Sequence, residues 1–176
     1  MKPYFLLLNF FLPLFFYQSS VYKIQVETID GTKVNLSSYQ GKKIIITEFN
    51  AANPEISWLK KLDSLQSSDT SLRVIVVPAN DLGGTGNDTK LASLLNSLSL
   101  KILMLKSAFV KKSSGINQHP LFKWLTNVNE NTHFDVDVES AKQLFIVSKT
   151  GTLYGVLTNN TPGNVLPGVL NKSIDQ

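Results

Sequence analysis

Ile44-Ile45-Ile46-Thr47-Glu48-Phe49 is a continuous run in which only Glu48 is charged. A strand with one wet face alternates apolar with polar residues, whereas an unbroken β-branched run suits a strand buried inside a sheet. Arg73 to Val77 is a second buried strand, closed by Pro78. Between and after these runs the spacing changes. Pro54 to Gln66 places Ile56, Leu59, Leu62 and Leu65, with Trp58, at helical intervals, and the leucines of Asp88 to Leu98 repeat the pattern. Lys101 to Leu105 is a short apolar run, and Pro120 to Asn127 is a further helix carrying Leu121, Phe122, Trp124 and Leu125. Two hairpins complete the series. Val21–Thr28 and Thr32–Leu36 flank Asp30-Gly31, while Gln143–Ser148 and Thr152–Leu157 flank Lys149-Thr150-Gly151, before a polar tail rich in Asn, Pro and Gly. The order predicts an α/β sheet with flanking helices and an N-terminal β-hairpin. The strand at 73–77 is expected parallel to that at 44–49.

The chain has 176 residues and a formal net charge of +4, nearly all from lysines spread along the sequence; Arg73 is the only arginine. With no basic stripe, nucleic acid is not an expected partner. Lys2, an apolar run from Tyr4 to Tyr17 and the polar Gln18, Ser19 and Ser20 follow the order of a secretory signal peptide. We therefore expect a leader over residues 1–20, one domain over 21–176, and export to a periplasmic or secreted location. The alternative is membrane attachment through an uncleaved N-terminal segment.

Four blocks in order resemble the glutathione peroxidase family. Val21-Tyr22-Lys23-Ile24 and Asp30-Gly31 through Gly41-Lys42 are similar to its opening "D-G-x-x-V-x-L-x-x-Y-x-G-K". Val77-Pro78-Ala79-Asn80-Asp81-Leu82-Gly83 is similar to "F-P-C-N-Q-F-G", and Pro120-Leu121-Phe122-Lys123-Trp124-Leu125 to "P-L-[FY]-x-[FW]-L". Phe145 to Gly151 sits where the family has "F-L-[IV]-D-x-x-G". The resemblance covers residues 21–157 and implies a thioredoxin-like sheet and an ancestry in thiol peroxidase chemistry.

That chemistry requires a cysteine or selenocysteine, and the chain contains no cysteine. Aligned from Gly41-Lys42, the family's nucleophile falls on Asn53, its loop glutamine on Asp81, and its Trp-Asn pair on Ser140 and Ala141. All four positions depart from the family's tetrad, so the resemblance implies no catalytic residue here. Asn53 followed by Pro54 and Glu55 reads locally as a helix cap and first turn.

No cofactor or metal is expected. His119 and His133 fall short of a zinc ligand set. Asp135, Asp137 and Glu139 could share one face of an extended segment, for which a solvated strand edge is the plainer reading. The glycine-rich stretch Asp81 to Asp88 fits no phosphate-loop pattern and reads as a flexible connection. Asn35, Asn87 and Asn171 begin formal glycosylation sequons. The expected function is that of a pseudoenzyme whose scaffold binds a protein partner or a small thiol ligand. The alternatives are residual or altered redox or hydrolytic chemistry at Asn53 and Asp81, or an unrelated α/β binding domain.

Overall fold

The computed structural model describes residues 20–172, so the expected leader lies, apart from Ser20, outside the described residues. Among those described, no helix is long and apolar enough to cross a membrane. The first hairpin pairs β1 (Gln25–Glu27) with antiparallel β2 (Lys33–Asn35), and Gly31 takes a φ of 87° in its turn. Its strands are shorter than expected, because Val21–Lys23 and Leu36–Tyr39 close into single 3-10 turns.

The main sheet has five strands, in the order β5-β4-β3-β6-β7. Its centre is β3 (Lys43–Asn50), parallel to β4 (Leu72–Ala79) and antiparallel to β6 (Leu144–Val147). The short β5 (Leu103–Met104) and β7 (Leu153–Leu157) form the edges. Strand β4 runs through Pro78 rather than ending before it. Leu105 and Ala108 donate to the carbonyls of Val76 and Pro78, so the missing proline N–H faces the gap where β5 has already ended.

Strand β3 is covered on both faces, which accounts for its unbroken apolar run. Ile44 and Ile46 belong to a core with Ile75, Val77, Phe122, Leu125 and Phe145. Ile45 and Phe49 belong to a second core with Leu59, Leu62 and Leu91. The first face carries α3 (Pro120–Thr126), against which the short α4 (Val128–Asn131) packs. The second carries α1 (Ile56–Ser68), α2 (Asp88–Leu98) and α5 (Val165–Leu170). Helix α5 breaks the expectation of a purely polar tail. Leu166 and Leu170 pack on the second core, and the Lys43 ammonium donates to the carbonyls of Leu170 and Lys172.

Candidate functional site

Beyond the C-terminal end of β3 the chain turns before it becomes helical. The Asn50 side chain accepts the Ala52 amide at 2.9 Å, and the Asn53 amide donates to the Asn50 carbonyl at 3.1 Å. Asparagine that bonds the backbone two residues on makes its own turn, and a residue before proline avoids the helical region. Helix α1 therefore starts at Ile56, not at Pro54, and its N-cap is Glu55, with no side-chain cap bond. The expectation that Asn53 caps this helix is corrected: its side chain is exposed on the preceding turn. Glu55 serves another contact, an ion pair between its Oε1 and Lys142 Nζ at 2.6 Å.

Asp81 also has a structural role. Its carboxylate accepts the Val110 amide at 3.0 Å, the Lys111 amide at 2.9 Å and the Ser114 hydroxyl at 2.9 Å. It pins the loop after β4 to residues 110–114. That loop in turn presses on the Asn50–Ala52 turn. A Cβ at Gly83, whose φ is 111°, would lie 2.6 Å from Asn50 Nδ2, and one at Gly86 would lie 2.7 Å from the Ala51 Cβ. The glycines of residues 83–86 are thus needed for close approach, and the segment is more than a flexible connection.

Ser140 is exposed and Ala141 half-buried just before β6. Their neighbours dock them. Lys142, in the left-handed region at φ 70°, donates its amide to the Glu48 carbonyl at 2.8 Å, and the Gln143 amide donates to Glu48 Oε1 at 2.9 Å. The turn at 50–53, the loop at 81–87 and the segment at 140–143 therefore gather around one end of β3. No hydrogen bond or ion pair in the structure links the side chains of Asn53, Asp81 and Ser140 to one another. A groove of about 320 Å3 opens beside the turn, between Ala51, Ala52 and Pro54 on one side and Gly86, Lys90 and Leu94 on the other. Neither Asn53 nor Asp81 lines it.

Glu48 is the group that the sequence reading passed over. It is fully buried, Oε2 has no hydrogen-bond partner among the described residues, and Thr47 Oγ1 is likewise unpartnered. Burial raises the Glu48 carboxyl well above its ordinary range, the Gln143 amide opposes this, and the nearby Asp81 charge adds to the rise. A lone carboxylate inside an isoleucine-rich run was the available signal.

Among the described residues there is no group of three or more His, Cys, Asp or Glu able to hold an ion. His119 caps α3, its Nδ1 accepting the Leu121 amide at 3.2 Å, and burial lowers its pKa. Asp135 pairs with Lys112 Nζ at 2.6 Å, and Asp137 accepts the Lys112 amide at 2.9 Å. Those carboxylates serve as ties between segments.

No family model matches the chain. Individual proteins do. It is 28% identical over 142 residues to glutathione peroxidase 1 of Caenorhabditis elegans, covering 77% of this chain and 84% of that protein. It is 26% identical over 111 residues to the phospholipid hydroperoxide glutathione peroxidase of Sus scrofa, covering 60% of this chain. The match spans 55%, about half, of that relative's length. In fold it is similar to Trgpx in apo form, with a TM-score of 0.68, 18% identity and coverage of 90% of this chain and 97% of that one. T. cruzi GPX1 superposes with a TM-score of 0.66 at 14% identity, over 86% of this chain and 94% of that one. A thioredoxin-family thiol:disulfide interchange protein from Chlorobium tepidum TLS reaches 0.57 at 13% identity, over 87% and 94%. The fold is thioredoxin-like, with a mixed sheet, flanking helices and a two-stranded sheet at the N-terminus.

Proposed function

We propose that the protein is a divergent member of the glutathione peroxidase family, without cysteine, and an exported pseudoenzyme that keeps the scaffold as a binding surface. The observation that carries this reading is the residue at the nucleophile position. Asn53 has an amide, which cannot attack a peroxide O–O bond as a thiolate does. Its surroundings support the same reading. Asp81, at the loop-glutamine position, is taken up by three donors, and the remaining positions hold Ser140 and Ala141. The partner is a protein or a small ligand.

The competing reading, altered chemistry with Asn53 and Asp81 holding a polar substrate, has less support because neither side chain lines the adjoining groove. Hydroperoxide consumption with glutathione or a dithiol as reductant separates the two. The pseudoenzyme reading expects no rate above the reductant-only blank. A rate abolished by Asn53→Ala would favour the altered enzyme. Export is tested separately, by comparing the mass of the protein recovered outside the cytoplasm with that of the whole chain.

A further inference from the structure

A cavity of about 280 Å3 lies between α1, the start of β6 and the β7–α5 connection, walled by Trp58, Lys61, Lys142, Leu144, Leu157 and Leu166. None of Asn53, Asp81, Ser140 or Ala141 lines it. Its floor belongs to the second core: Leu144 is buried there, and Trp58, Leu157 and Leu166 pack against it. The charge in its wall is of one sign. Two lysines line it, and neither Asp nor Glu does. Lys61 is exposed and is in no ion pair among the described residues. Lys142 is fixed in place by its amide bond to the Glu48 carbonyl and by the Glu55 carboxylate, which pairs with its ammonium at 2.6 Å.

Trp58 and Lys61 stand three residues apart on α1, so they share a helix face. Trp58 also has an unmet need, for its indole N–H is buried with no acceptor among the described residues. Such a donor is costly to leave unpaired. An apolar floor beside lysine-bearing walls selects an anionic head on an aliphatic tail. At roughly 30 Å3 for each water-sized group, the volume suits about nine heavy atoms.

We propose that this cavity binds a short aliphatic carboxylate, its tail against Leu144, Leu157, Leu166 and Trp58 and its head between Lys61 and Lys142. The inference rests on the binding-scaffold reading above and gives it a site and a ligand class. Octanoate is the probe. It is titrated into the full chain while tryptophan fluorescence is followed, Trp58 and the core residue Trp124 being the only two emitters. A saturable change is expected, lost in Trp58→Phe, with calorimetry confirming that this variant still binds. Lys61→Gln should weaken octanoate roughly two- to fivefold, the worth of an exposed charge contact, and leave 1-octanol unaffected. Leu166→Asp, checked for folding by circular dichroism, should weaken both about tenfold or more. No saturable binding by the folded parent overturns the proposal, as does binding that neither Lys61→Gln nor Leu166→Asp changes. Either result leaves the hydroperoxide assay untouched, and turnover in that assay would overturn the pseudoenzyme reading without removing octanoate binding.

Discussion

Oε1 of Glu48 accepts the amide of Gln143 at 2.9 Å, tying the buried end of β3 to the start of β6 where the three loop segments meet. Burial holds this carboxyl well above its ordinary value of 4.5. The folded state therefore holds the proton more tightly than the unfolded chain does. The resulting stability is full below the unfolded value and declines as pH rises from there toward the raised folded value. Glu48→Gln keeps the acceptor for Gln143 and removes the titration. Denaturant unfolding should find it close to the parent near pH 4 and more stable than the parent near pH 9, with a flatter profile between.

His119 gives the opposite sign. Burial lowers its pKa from 6.5, so the unfolded chain binds its proton first and stability is lost as pH falls below that value. Protonation would also remove the acceptor that holds the Leu121 amide at the start of α3. His119→Asn retains a cap acceptor and should match the parent at neutral pH while losing less stability in mild acid, read as thermal midpoints across that range.

The two asparagines that precede helices should behave differently. Asn87 Oδ1 accepts the Lys90 amide at 3.0 Å as the cap of α2, so Asn87→Ala should cost about 0.5–2 kcal/mol. Asn53→Ala, on an exposed turn two residues before the α1 cap, should stay within about 0.5 kcal/mol of the parent. Asp81→Ala should cost about 1–3 kcal/mol, since it leaves the amides of Val110 and Lys111 without their acceptor. Urea unfolding of the three variants side by side ranks them.

The contrast between Asn87 and Asn53 marks how far local sequence carries. Helix α2 runs over Asp88–Leu98 as its leucine spacing indicates, and the structure adds Asn87 as its cap. At Asn53 the same residue type misleads, since Asn50, three residues earlier, turns the chain first and Glu55 is drawn to Lys142, 87 positions away. The strand segments and the parallel β3–β4 pair were legible in the apolar runs. Helix α5 was not, because Pro167 and Gly168 disguise six residues whose helicity rests on packing and on Lys43. At the candidate site the absence of cysteine was legible. Asp81's role was not, because its partners lie 29 to 33 residues away, and Glu48 was absorbed into the strand that carries it.

Introducing a sulfur at Asn53 should not create a peroxidase. The Asn53 position precedes the first residue of α1, Ile56, by a turn without helical structure. A cysteine there gains little from a helix terminus whose effect fades within its first turn. Asn53→Cys should titrate near the free-thiol value of about 8.5, measured by thiolate absorbance, and should remain a poor peroxidase, because groups that act as a unit are not recovered singly.

The parent chain itself provides the most direct measurement: the initial rate of hydrogen peroxide consumption under excess glutathione or dithiol, with trace metals removed, against a blank lacking protein. With no sulfur nucleophile to be oxidised and regenerated, the expected rate equals the blank at every protein concentration. A rate that rises in proportion to protein and saturates with peroxide would contradict the account and return Asn53 and its neighbours to the status of an active site.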